Sequence, residues 1–219
     1  MIDLNFGAET NRVLDQVLKE RRSVRVFKNE IPPREDIEQI IKAGILAPYA
    51  GLAGVGLKEM RRFAVLVKNT DTMARVNAIM AARMKSSAKK LKVLSYIVPY
   101  LRKNAKKFLK VVENAGADGL PAFKTAPYFI VVGERKGFPP VEKQSLAYVM
   151  ENMWLKATAL GLGFQLVSAT QIMAKDREFM DIVGIPYGEF EIDGCAIGYP
   201  DQTPADRAEI SADQLTRWL

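Results

Sequence analysis

In the stretch RRSVRVF, positions 21–27, Arg21, Ser23 and Arg25 alternate with Arg22, Val24 and Val26. Successive side chains of an extended backbone point to opposite faces. Arg21, Ser23 and Arg25 then share one side, and Val24 and Val26 face a core on the other. Two guanidinium forks and a hydroxyl meet a common anion in that arrangement. The planar fork of arginine matches phosphate oxygens and serine adds a neutral donor. The segment is therefore a candidate phosphate-binding strand; the plainer alternative is a solvated charged edge, and the segment alone does not decide between them.

The sequence contains no histidine and a single cysteine, Cys195. Ser-His-Asp and Cys-His catalysis, imidazole metal sites, thiolate clusters and intrachain disulfides are all excluded. Chemistry near neutral pH must come from carboxylates, lysines, tyrosines or a bound cofactor that carries the hard step itself.

Two glycine-rich stretches invite comparison with phosphate loops. GLAGVG, positions 51–56, follows a helix and has the wrong spacing for a dinucleotide fingerprint, which needs G-x-G-x-x-G between strand and helix. GLGF, positions 161–164, reads as the stop of a helix. The strand behind it is the more useful feature, because it offers the backbone donors of Val167, Ser168 and Ala169 to a ligand at a sheet edge.

These residues need a scaffold, and 219 residues with 48% hydrophobic and 26% charged content suit one globular domain over positions 1–219. The start of the chain shows no secretory pattern and no apolar run reaches spanning length, so a soluble cytoplasmic protein is expected. A first helix is expected over 10–20, with Val13, Leu14, Val17 and Leu18 on one face. A second opens at IPPRED, carries Ile37, Ile40, Ile41 and Ile45, and ends in the loop APYAGLAGVG. RRFAVLV and APYFIVVGE read as buried strands. A long helix over 143–160 leads to a third strand, GLGFQLVSA, and FEIDGCAIGYP is the fourth. Helices interleaved with strands around one sheet give a mixed α and β class. Trp154, in the long helix, reads as a core or subunit contact.

Positions 73–110 hold eleven Lys and Arg and no Asp or Glu, within a chain of net charge +7. Apolar residues from Met73 to Val98 recur at helical spacing, Pro99 interrupts them, and Leu101 to Val112 resume the pattern. Two basic amphipathic helices broken at the proline are expected. The charges suit steering of an acidic substrate, an acidic carrier protein or an anionic membrane surface, while the plainer reading of the stripe is a solvated helix pair packed on the core. Its few aromatics form no stacking platform, which disfavours nucleic acid.

Taken in order, RRSVRVF, AGILAPYAG, APYFIVVG, the helix into LGLGF, and the late IGYP resemble the nitroreductase family of FMN-dependent oxidoreductases. The resemblance covers the chain apart from a basic helical insertion at about 73–115. It implies an α+β fold, with a central, mostly antiparallel sheet flanked by helices, in an intertwined homodimer with FMN at the subunit interface. By resemblance Arg21 and Ser23 hold the FMN phosphate, with Arg22 beside them, and Arg25 lies near the pyrimidine edge. Arg207 falls about where a late basic phosphate ligand belongs. The main chain around Val167, Ser168 and Ala169 approaches flavin N5. The loop Pro48, Tyr49, Ala50, Gly51 and Leu52 reaches the flavin of the other subunit. There Tyr49, Leu52 and Gly54 replace the usual Ser-rich residues, Asn and Gln, which leaves the substrate class open. The implied reaction is a ping-pong transfer from NAD(P)H through FMN to a nitroaromatic, quinone or similar acceptor, with no strong acid or base on the protein. The alternative is a non-catalytic flavin- or anion-binding module recruited by the basic helices. Exposed Leu215, Trp218 and Leu219 would be covered by the partner subunit.

Overall fold

A computed structural model of the chain describes residues 6–49, 56–202 and 210–219. In chain order the elements are α1 (Gly7–Glu20), α2 (Arg34–Ile45), α3 (Leu57–Met60), β1 (Arg61–Val67), α4 (Asp71–Ile97), α5 (Pro99–Asn104), α6 (Lys106–Asp118), α7 (Pro121–Thr125), β2 (Tyr128–Arg135), α8 (Glu142–Ala159), β3 (Gly163–Leu166), α9 (Arg177–Ile182) and β4 (Phe190–Gly198). A 3-10 helix, Ser168–Lys175, follows β3. The strands form one sheet in the order β1-β2-β4-β3, with every neighbouring pair antiparallel. The class is α+β.

β2 and β4 are central and buried on both faces, as their continuous apolar runs require. Along β2 the side chains alternate between two cores. Tyr128, Ile130 and Val132 pack with Ile37 and Ile40 of α2 and with Leu146, Val149 and Met153 of α8. Phe129 and Val131 join the opposite core with Met73, Val76 and Met80 of α4, Met173 of the 3-10 helix and Phe179 of α9. Helices thus cover both faces of the sheet.

Several sequence expectations change in detail. β1 is an edge strand rather than a buried one, and Val65 and Val67 on it are exposed. β3 ends at Leu166, before VSA, because the chain turns into the 3-10 helix. The basic segment forms three helices, not two. Val98 adopts the extended conformation that a following proline imposes, Pro99 opens α5, and Ala105 makes a second break before α6. The buried stripe of α4 stops at Ala88, so Leu94 is exposed. α1 buries none of its residues, and Val13, Leu14 and Leu18 remain exposed, as does Ile45 in α2. Pro33 stands at the N-cap of α2.

Candidate functional site

The arginine segment leaves α1 at Arg21 and runs beside β3. Ser23 pairs in parallel with Phe164, and the Val24 amide donates to the Phe164 carbonyl at 3.0 Å. Further on, Phe27 pairs with Pro200, Lys28 donates to the Tyr199 carbonyl at 2.9 Å, and Asp201 donates to the Val26 carbonyl at 3.0 Å. RRSVRVF, GLGF and GYP, scattered in sequence, therefore meet at one end of the sheet. Strand and segment approach closely because position 163 is glycine: a Cβ there would lie 2.7 Å from Val24 Cγ1. Val24 and Phe27 are buried, whereas Val26 is 42% exposed, contrary to the expected alternation. The pairing with Pro200 turns the segment before Phe27 and breaks the period.

Arg21 is held from two sides. Its Nε lies 3.2 Å from Glu151 Oε1, and its guanidinium sits 4.4 Å from the centroid of the Trp154 ring. Trp154 stacks on Phe164 at 5.0 Å and donates its Nε1 hydrogen to the Arg22 carbonyl at 3.1 Å. Arg22 itself reaches back to the carbonyls of Lys19 and Arg21, at the C-terminus of α1. Cations there are favoured by the helix dipole. Arg25 is exposed on the same segment.

At the far end of β3 the Val167 amide bonds the Gly194 carbonyl at 2.7 Å, so that donor is spent within the sheet and is unavailable to a ligand. The 3-10 helix makes its first bond from the Thr170 amide to the Val167 carbonyl at 2.9 Å, and the amides of Ser168 and Ala169 precede it. Asp193 locks this turn: its carboxylate accepts from Gln171 Nε2 at 2.9 Å and from the Gly194 amide at 2.8 Å. Burial raises the Asp193 pKa, and those two hydrogen bonds only partly offset it. Neighbouring Cys195 is fully buried, and its thiol is pushed well up by burial and then by Asp193, so it is not a poised nucleophile.

Ser168 and Ala169 line a cavity of about 530 Å³ between the end of β3 and the α4–α6 pair. Met84 and Leu91 of α4, Phe108 and Val111 of α6, and Leu166 and Ile172 give it apolar walls. Gln165 also lines it, and its buried Oε1 has no hydrogen-bond partner among the described residues. A buried acceptor left unpaired costs on the order of 1–3 kcal/mol, which a ligand donor would recover. Apolar walls with a few convergent polar groups are the usual form of a small-molecule site.

The loop after α2 lies elsewhere. Arg61, at the start of β1, is buried, pairs with Glu134 at the end of β2, and donates to the carbonyls of Gly44 at 2.7 Å and Ala47 at 3.1 Å. Its guanidinium thereby ties down the C-terminus of α2. Tyr49 sits over the same cluster. Its hydroxyl pKa is raised by burial and by the charges of Glu142 and Glu134. Pro48 beside it is exposed. In the sheet register Glu134 pairs with Glu191, while Phe164, next to Ser23, pairs with Ile197. These levels are six residues apart along β4, about 20 Å. Within one chain, therefore, Tyr49 does not meet the arginine segment. Ala50, Gly51, Leu52 and Arg207 lie outside the described residues.

Glu151, Trp154, Gln165, Met84 and Leu91 were not identified as site residues from sequence. Trp154 did stand out as a contact residue, but nothing local tied it to Arg21. Among the described residues no group of acidic, cysteine or histidine side chains could hold a metal ion, and no helix is long and apolar enough to cross a membrane.

A model described as the nitroreductase family matches residues 18–199. No curated protein matches the chain. Among solved structures, a nitroreductase with bound FMN from Bacteroides fragilis NCTC 9343 superposes with a TM-score of 0.70 at 21% identity, covering 94% of this chain and 98% of that one. A nitroreductase with bound FMN from Desulfitobacterium hafniense DCB-2 gives 0.67 at 22% identity, with the same coverage of 94% and 98%. Oxidised iodotyrosine deiodinase bound to FMN and 3-iodo-L-tyrosine gives 0.64 at 23% identity, covering 91% of this chain and 97% of that one. At these identities the likenesses establish the fold.

Proposed function

Because the chain belongs to the nitroreductase family, we propose that it is a single-domain FMN-dependent oxidoreductase, passing electrons from NAD(P)H to a small organic acceptor such as a nitroaromatic or quinone. One observation carries this reading. β3 links the arginine segment, paired at Phe164, to the cavity floor at Ser168, four residues or about 13 Å further on. A phosphate-tailed planar cofactor has an anion at one end and a ring system at the other, and this arrangement suits both ends. The FMN-bound structures of the same fold add support.

In this reading Arg21 and Ser23 bind the phosphate, with Arg22 adjacent, and Trp154 with Glu151 fixes Arg21 before the ligand arrives. Arg25 supplies positive charge near the pyrimidine edge, where reduction leaves negative charge. The amides of Ser168 and Ala169 are the donors for the ring, and Asp193 with Thr170 holds them in place. FMN supplies the hydride acceptor when bound. The apolar walls admit a flat acceptor and limit water. No protein acid or base is required, which suits a chain without histidine.

The offset of about 20 Å along β4 between the Glu134 level, where Tyr49 sits, and the Phe164 level, where the arginine segment pairs, supports a homodimer in which Pro48 to Leu52 of each subunit reach the partner's flavin. The uncovered stripe of α1 and exposed Leu215, Trp218 and Leu219 support it too. Arg207 is proposed as a further phosphate ligand, and the cytoplasm as the compartment. A non-catalytic flavin-binding module is the second reading, favoured by the exposed cations of α4–α6.

The test is the absorption spectrum of the purified protein, identification of released flavin, and bleaching by NADH or NADPH. Bound FMN that bleaches is the expected result. FMN that resists both nicotinamides favours the module, and failure to take up FMN refutes both readings.

A further inference from the structure

The end of α4, with α5 and the start of α6, carries a surface that the redox reading uses only where Phe108 and Val111 wall the cavity. Eight Lys and Arg and no Asp or Glu fall between positions 89 and 110, and all eight are exposed. None forms an ion pair with a described residue; the pairs that α4 does make, Arg75–Glu178 and Arg83–Asp176, lie nearer the body of the fold. Interleaved with the cations are large apolar side chains: Ile97 is 71% exposed, Tyr100 73% and Phe108 62%, with Val93 and Tyr96 also exposed.

This apolar set is not a frayed continuation of the core stripe. The buried residues of α4 run Met73, Val76, Met80, Met84 and Ala88. At 100° per residue, Val93 is turned about 140° and Ile97 about 180° from Ala88. A second apolar face therefore points away from the core. The helix pair beneath is close-packed, since a Cβ on Gly116 of α6 would lie 2.7 Å from the Lys85 amide nitrogen of α4. Tip and body are thus firmly joined.

We propose that this tip docks on an anionic lipid surface. Three observations select that occupant. Charge complementarity requires an anionic partner. Tyrosine and apolar side chains beside lysines form the usual chemistry of a helix in the headgroup region, where aromatic rings sit at the interface and lysine stems lie along it. The core of a subunit contact is instead depleted in lysine, which argues against a second copy of this chain here. With no spanning helix among the described residues, attachment through these helices is peripheral. Phe108 and Val111 belong both to the exposed tip and to the cavity wall, so the docked tip brings the cavity close to the bilayer.

The experiment is co-sedimentation of the full chain with phosphatidylcholine vesicles, with and without phosphatidylglycerol, and its result does not depend on flavin content or turnover. Binding is expected only with phosphatidylglycerol, and it should weaken at high salt. Replacing Lys103, Lys106 and Lys107 by Gln should lower the partition coefficient on the order of a hundredfold. Ile97→Ser with Tyr100→Ser should also release the protein while leaving its oligomeric state unchanged. The proposal fails if both vesicle types bind equally or neither binds, or if the lysine variant binds like the parent. It also fails if the Ile97/Tyr100 variant keeps full binding, which marks a general polyanion patch, or dissociates an oligomer, which marks a subunit contact.

Discussion

The Arg21 guanidinium lies 4.4 Å from the centroid of the Trp154 ring, while Trp154 Nε1 bonds the carbonyl of Arg22 at 3.1 Å. One indole thus sets both the side chain and the backbone of the proposed phosphate strand. A cation–π contact of this kind is worth about 0.5–2 kcal/mol and a neutral hydrogen bond about 1 kcal/mol. Trp154→Leu should therefore weaken FMN binding roughly ten- to a hundredfold. Trp154→Phe keeps a ring face, loses only the N–H, and should cost roughly fivefold. Fluorescence titration with FMN measures this, and thermal denaturation runs beside it. Lost stability with an unchanged FMN affinity would reduce Trp154 to packing.

Gly163 and Val24 predict a compensating pair. A methyl at position 163 would meet Val24 Cγ1 at 2.7 Å and Val24 Cβ at 2.8 Å, so the arginine segment must move outward. Gly163→Ala should cost about 1–3 kcal/mol in chemical denaturation and weaken FMN binding with it. Adding Val24→Ala removes the two methyls but leaves its Cβ at 2.8 Å, so it should restore only part of both losses. A double-mutant cycle with no coupling between the two positions would contradict the close approach.

How far these relationships were legible depends on sequence distance. β2 and β4 announce themselves as continuous apolar runs, and the helix stop before β3 is written in its glycines. Ser23 could be placed beside a sheet only through the order of motifs, since its partner Phe164 has no local signal. The Trp154–Arg22 bond spans 132 positions and the Arg61–Glu134 pair 73, and nothing near any of these residues marks the match. Alternation misplaced Val26 because the segment turns to pair with Pro200. Helical spacing misread α4 past Ala88 for the opposite reason: the periodicity continues where there is no core left to bury it.

Arg61 and Glu134 carry a pH-dependent prediction. Glu134 is fully buried, and desolvation raises its pKa despite the opposing charge and hydrogen bond of Arg61. A carboxyl whose folded pKa is raised binds its proton more tightly in the folded state. Its contribution to stability is complete below the unfolded pKa and is lost as pH rises through the folded value. Arg61→Met removes the group that holds that pKa down and leaves a buried carboxylate unpaired, at a cost of about 3–5 kcal/mol at neutral pH. Stability of the variant should recover on acidification toward pH values near the ordinary carboxylate pKa of about 4. Glu134→Gln added to Arg61→Met should abolish that recovery. Urea titrations between mildly acidic and mildly alkaline pH test it, and a variant equally destabilised throughout would show that Glu134 never carries the charge.

The cavity predicts a separation of half-reactions. Leu91 faces it from α4 without belonging to the arginine segment or the Ser168–Ala169 turn. Leu91→Trp narrows the space for an acceptor while leaving every proposed FMN contact in place, so flavin content should match the parent. In ping-pong kinetics kcat/KM for the acceptor reports only the oxidative half-reaction. That ratio should fall about tenfold or more for a bulky apolar quinone, in line with steric discrimination by an apolar pocket. A small outer-sphere acceptor that needs no seat, such as ferricyanide, should be reduced as before. Steady-state assays with the two acceptors at fixed nicotinamide decide the matter: equal losses for both would mean that Leu91 acts through the flavin, and no loss for either would place the acceptor outside this cavity.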